Sequence, residues 1–152
     1  MPVQKLKDYL DQHEVEYVTI SHSPAYTAQR IAEITHIPGK DLAKTVIVKI
    51  EVKFAMAVLP ASRRVALRHL QEAIGADDVV LASEPEFKAL FPDCEVGAMP
   101  PFGNLYDMGV YVAEQLTEDD EIAFNAGSHT ELVRMSYRDF ANLVTPQVVS
   151  LT

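Results

Sequence analysis

The chain has a single cysteine, Cys94, so no internal disulfide can form. That usage fits a reducing compartment, and a cytoplasmic protein is expected. No apolar run reaches the ~18–20 residues that a membrane-spanning helix needs. The first residues make a mixed-charge amphipathic stretch and not a signal peptide. Phosphate-cradling glycine motifs are missing too. There is neither G-x-x-x-x-G-K-[ST] nor G-x-G-x-x-G after a strand. The histidines His13, His22, His36, His69 and His129 show neither H-E-x-x-H nor paired Cys/His spacing, so no metal and no cofactor are expected. Cys94 lies between Asp93 and Glu95, which oppose thiolate formation, and reads as a small, partly buried hydrophobe. Ser128 and His129 are adjacent, and adjacent side chains rarely point at each other, which makes a serine–histidine dyad a weak signal.

Positive charge is also scarce. Thirteen Lys and Arg face twenty-two Asp and Glu, for a net charge of −9, which argues against a nonspecific nucleic-acid coat. The average hides an asymmetry. Residues 40–68 hold Lys40, Lys44, Lys49, Lys53, Arg63, Arg64 and Arg68 against only Asp41 and Glu51, a local +5, while the rest carries −14. Such a stretch can make a localised phosphate footprint on an acidic protein. Solvated strand-edge lysines that deter aggregation would look the same.

At 152 residues the length predicts one domain, 1–152. A chain of this size buries roughly 70% of its unfolded surface, enough for a core without metal or disulfide. Val3, Leu6, Tyr9 and Leu10 predict a helix over 2–13, and Tyr17-Val18-Thr19-Ile20 a short strand. Thr27 is a candidate N-cap for a helix carrying Ile31, Ile34 and Ile37, which Pro38-Gly39 stops. Strands at 43–50 and 54–59 are close enough for an antiparallel hairpin. A helix is expected at 64–74, with Gly75 as its stop, and a strand at 79–81. Ser83 and Glu86 have capping-box spacing and open a helix to about Leu90. Further strands are expected near 94–98, 109–112, 121–125, 130–135 and 148–151, and a helix from Ser136 to Val144. Several strands are joined too briefly for crossover helices. The fold class is therefore mixed α/β (α+β), a mostly antiparallel mixed sheet with surrounding helices.

Two features carry chemistry. Lys44 opens a β-branched run, Thr45-Val46-Ile47-Val48, that reads as a buried strand. A lysine there can snorkel to water, pair with a carboxylate, or hold an anion. Some fifty residues later comes Gly97-Ala98-Met99-Pro100-Pro101-Phe102-Gly103. Gly97 and Ala98 could let a ligand approach the main chain and use its N–H groups, as in an oxyanion hole. Pro100 and Pro101 have no N–H to offer.

These residues also carry a resemblance. His22-Ser23-Pro24, Lys44-Thr45-Val46-Ile47-Val48, the 97–103 loop, Phe124-Asn125-Ala126-Gly127-Ser128-His129 and Leu132-Val133-Arg134-Met135-Ser136-Tyr137-Arg138-Asp139-Phe140 follow in order. Over residues 15–145 the chain resembles the YbaK/prolyl-tRNA-synthetase-associated domains, editing domains that hydrolyse mischarged aminoacyl-tRNA. The resemblance implies a curved, largely antiparallel sheet. It also implies a loop backbone that holds the aminoacyl carbonyl, a lysine at the terminal adenosine, and a water positioned partly by the substrate's own ribose hydroxyl. Catalysis would then centre on Lys44, Gly97, Ala98 and Pro101. His22, Thr45, Met99, Gly127 and Ser128 are substrate-binding candidates. Lys40, Lys49, Lys53, Arg63, Arg64 and Arg68 would contact acceptor-stem phosphates. Expected partners are mischarged aminoacyl-tRNA and an aminoacyl-tRNA synthetase, with no membrane and no DNA. Many members have a second glycine and a later serine in the loop, where this chain has Ala98 and Pro100. That departure bears on amino-acid specificity more than on reaction type. The alternatives are a non-catalytic module of the same fold that binds tRNA, a nucleotide or a synthetase, and a hydrolase of another small acyl ester.

Overall fold

A computed structural model describes residues 3–152. Helix α1 (Gln4–Gln12) turns Leu6 and Leu10 fully inward, as the spacing predicts. The expected start of this helix at residue 2 lies outside the described residues. Strand β1 (Tyr17–Ser21) and helix α2 (Ala28–Thr35) follow, and the Thr27 side chain caps α2 by accepting from Arg30 N–H at 3.1 Å. Next come β2 (Leu42–Ile50), β3 (Lys53–Pro60), α3 (Leu67–Ile74), β4 (Val79–Leu81) and the short α4 (Glu84–Phe87). The Ser83 N–H donates to Glu86 Oε1 at 2.9 Å, half of the capping box. Strands β5 (Gly109–Ala113), β6 (Glu121–Asn125) and β7 (Glu131–Ser136) lead to α5 (Tyr137–Val144), capped by Ser136, and to β8 (Gln147–Val149).

The strands form one mixed sheet in the order β1-β7-β6-β2-β3-β5-β8, with β4 also paired to β2. Pairs β1/β7, β7/β6, β2/β3 and β2/β4 are antiparallel, while β6/β2, β3/β5 and β5/β8 are parallel. Two expectations are corrected. Residues 94–98 form no strand: Cys94 N–H bonds to Phe91 C=O, Ala98 N–H bonds to Glu95 C=O, and Gly97 has φ +87°, so the chain makes successive turns. The third helix starts at Leu67 and not at 64, because Ala66 is extended and its N–H is drawn to Leu151 C=O.

Alternation along β2 divides the core. Ala43 and Ile47 face the main cluster with α1, α5, Phe102 and Phe124. Leu42 faces a second cluster under α2, and Val46 and Val48 face a third under α3. Lys44 shares that second face and falls between the α2 and α3 clusters. Among the described residues no helix is long and apolar enough to cross a membrane.

The β2–β3 turn holds two non-glycine residues at positive φ, Glu51 at 48° and Val52 at 68°. This geometry matches the hairpin turns that favour Asn-Gly. Glu51 is retained for a reason, since its Oε1 accepts from Asp77 N–H at 2.9 Å. Val52 is 82% exposed and a β-branched residue in strained backbone. Removing that strain outweighs the extra unfolded-state entropy of glycine. We expect Val52→Gly to stabilise the protein by about 1 kcal/mol, raising Tm by about 2–4 °C in a thermal melt.

Candidate active site

Lys44 is partly buried and makes no ion pair with any described residue. Burial, and then the charge of Arg64, push its pKa down from the usual lysine value. The strand therefore holds a cation that lacks a counter-ion and has a second cation nearby. An anion arriving there relieves both penalties.

The sheet opens at this point. Strand β6 pairs with β2 only at Leu42↔Ala123 and Ala43↔Phe124, and β4 pairs with it from Val48 to Ile50. Asp41 C=O accepts from Ala123 N–H and Ile47 C=O from Ala82 N–H, both on the side of β2 away from β3. Odd-numbered residues of β2 thus turn their main-chain groups outward. Thr45 falls in the gap between β6 and β4, which leaves its N–H and C=O without a ladder partner. Asn125, the next residue after the last β6 rung, shares its sheet face with Lys44.

The 97–101 loop is held against the β6–β7 hairpin. Gly127 N–H donates to Ala98 C=O at 2.9 Å, Glu95 N–H to Gly127 C=O at 2.8 Å, and His129 Nε2 to Val96 C=O at 2.8 Å. Gly127 is required here: its φ is +103°, and a Cβ would lie 3.0 Å from Val3 Cβ. The expected donors change in one respect. Ala98 N–H is spent on Glu95 C=O, whereas Gly97 and Met99 N–H groups have no acceptor among the described residues. Ala98, Met99, Pro101 and Phe102 are buried, and Gly97 is the exposed residue of this segment.

Two imidazoles complete the hairpin end. His22 N–H bonds to Thr130 C=O, and its Nδ1 donates to Ser23 C=O at 2.7 Å. His129 Nε2 is the donor to Val96, so in both rings one nitrogen is engaged and the other is left over. Those nitrogens, His22 Nε2 and His129 Nδ1, and also Asn125 Oδ1, are buried with no partner among the described residues. His129 is 8% exposed as a residue, and its ring lies 4.9 Å from that of Tyr26. Sequence reasoning did not assign a role to Asn125, His129 or Tyr26. The first two are in the quoted 124–129 segment, but their lack of partners depends on contacts distant in sequence. No serine–histidine dyad forms, since Ser128 Oγ pairs with Thr130 Oγ1 at 3.2 Å. The Cys94 thiol lies 3.4 Å from Tyr106 OH and is pushed up by burial, which keeps it from acting as a thiolate.

The basic residues do not gather as one patch. Lys49 pairs with Glu86 at 2.5 Å, Arg68 with Glu72 at 3.3 Å, and Lys40 with Asp41 at 3.1 Å. Lys53 pairs in register with Ile50, six residues along β2 from Lys44, which is about 20 Å. Arg63 and Arg64 follow β3, are exposed, and pair with no described carboxylate. A hollow of about 520 Å³ lined by Asp11, Tyr17, Glu121 and Arg134 is at the opposite end of the β6–β7 hairpin and shares no residue with this constellation.

The family model for the aminoacyl-tRNA editing domain matches residues 22–143. The chain is 28% identical, over 97% of its length and 90% of the relative's, to the multifunctional Ser/Thr-tRNA deacylase ProXp-y of Escherichia coli (strain K12). Among solved structures it resembles the hypothetical protein APE2540, with a TM-score of 0.87 at 19% identity, covering 97% of this chain and 99% of that one. It also resembles a candidate trans-editing enzyme for prolyl tRNA synthetase, with a TM-score of 0.83 at 19% identity, covering 99% of this chain and 96% of that one. The match spans the lysine strand, the main-chain loop and the hairpin alike, and this chain is a member of the aminoacyl-tRNA editing domain family.

Proposed function

We propose that the protein is a trans-editing deacylase that hydrolyses the ester linking a wrong amino acid to the terminal ribose of tRNA. The observation that carries this reading is a cation without a counter-ion on a strand whose neighbouring amides and acceptors also lack partners. Lys44 and Arg64 take up the phosphate of the terminal adenosine. Gly97 and Met99 N–H groups receive the ester carbonyl oxygen and stabilise the negative charge that develops on it. His22 Nε2, His129 Nδ1 and Asn125 Oδ1 accept from donors of the substrate, among which the α-ammonium is the strongest. Water adds to the carbonyl carbon, the carbon–ribose oxygen bond breaks, and the ribose oxygen leaves with a proton as hydroxyl. The adjacent ribose hydroxyl orients the water, so no protein nucleophile is required.

The test is a panel of mischarged tRNAs, starting with seryl and threonyl esters because the E. coli relative is named for these. We expect at least one ester to be hydrolysed far above its rate in buffer, with uncharged tRNA competing. Binding of tRNA without hydrolysis of any ester would instead support the non-catalytic module.

A further inference from the structure

A second cleft opens where β2 and β6 begin. It measures about 340 Å³ and is lined by Lys40, Pro60, Ser62, Arg63, Gln115, Glu118 and Asp119. The Asp119 side chain is only 6% exposed, and its Oδ2 is buried with no hydrogen-bond partner. Lys40 Nζ stands 3.9 Å from the other oxygen, and that lysine is 73% exposed and already engaged with Asp41. Burial first, and then the Asp41 carboxylate, push Asp119 up to about 6, with Glu118 adding in the same direction and Lys40 opposing. Its Oδ2 is thus a buried acceptor without a donor among the described residues.

The chemistry of the cleft restricts its ligand. The buried oxygen calls for an N–H or O–H, while Lys40 and Arg63 at the rim offer only donors and suit a phosphate. A nucleotide whose base carries an exocyclic amine supplies both. Position selects among such nucleotides. Arg63 in the cleft and Arg64 beside Lys44 are consecutive residues, about 3.8 Å apart at their Cα atoms. The cleft is thus next to the place where the terminal adenosine would bind, and tRNA ends in cytidine-cytidine-adenosine. Resting on the deacylase reading, we infer that this cleft holds the cytidine preceding the terminal adenosine. Its N4 amine donates to Asp119, and its phosphate lies between Lys40 and Arg63. Cytosine N4 is a donor that carboxylates accept from, whereas uracil presents an acceptor at the same place.

Binding of the 5′-phosphorylated dinucleotides of cytidylyl-adenosine and uridylyl-adenosine, which carry the cytidine-side phosphate as well as the linking one, to the whole protein tests this directly. The cytidine form is expected to bind about tenfold tighter, the value of one hydrogen bond to a charged acceptor. Asp119→Ala should remove the preference. Asp119→Asn, whose amide can donate to uracil, should narrow or invert it, and circular dichroism checks that both variants are folded. Arg63→Ala should weaken both dinucleotides alike. Equal affinities in the unaltered protein, or an undiminished cytidine preference in folded Asp119→Ala or Asp119→Asn, would overturn the assignment. The deacylase reading fails separately: a cytidine preference without hydrolysis of any ester leaves this cleft a nucleotide site and removes only the reaction.

Discussion

Replacing Lys44 with alanine is expected to lower kcat/KM on a mischarged tRNA by about 10–10²-fold, the loss typical of removing one charge-assisted contact to a phosphate. Lys44→Arg, which keeps the charge but changes its shape, should recover part of that loss. Stability should move the other way. Lys44 is partly buried beside Arg64 and has no carboxylate partner, so its pKa is depressed and its charge costs the folded state. Lys44→Met retains the apolar stem, removes the charge, and should melt at the same or a higher temperature while losing activity. A site that trades stability for function behaves in this way. A Lys44→Ala enzyme with full activity in single-turnover deacylation would remove the lysine from the mechanism.

The largest loss of stability is expected at Phe102, at the end of the same loop. Its ring is fully buried and lies 5.5 Å from Phe140, 5.6 Å from Phe124 and 6.1 Å from Tyr9. It thereby ties the loop to α1, β6 and α5 at once. Phe102→Ala should cost about 3–5 kcal/mol through lost burial and the cavity left behind. For a domain whose total stability is about 5–15 kcal/mol, that is a large share. Urea denaturation should show the midpoint falling, and Phe102→Leu should fall less. Deacylation should suffer too, because Gly97 and Met99 are positioned by this anchor. A Phe102→Ala protein with an unchanged midpoint would mean the ring is not buried as described.

Much of the fold was legible because it depends on local chemistry. The caps at Thr27 and Ser136, the Ser83–Glu86 box and the β2–β3 hairpin are each set within a few residues. The mixed sheet followed from connections too short for crossovers. The stretch 94–98 was misread because its turns depend on carbonyls and on a docked hairpin thirty residues away, which no local periodicity records. The site was legible in its residue types and less so in its details. Lys44 and Gly97 stand out in the sequence. The loss of Ala98 N–H to a turn, the pairing of Lys49 with Glu86, and the bare nitrogens of His22 and His129 are decided by tertiary neighbours.

The unpaired main-chain groups at Thr45, Gly97 and Met99 have a consequence for mutation. An amide donor belongs to every residue but proline, so substitution of the surrounding side chains that wall the site leaves these hydrogen bonds in place. Drift in sequence can then revise which acyl group fits while the carbonyl is still held. At Thr45 or Met99 only proline removes the donor outright; at Gly97 the positive φ adds a second restriction, on backbone shape.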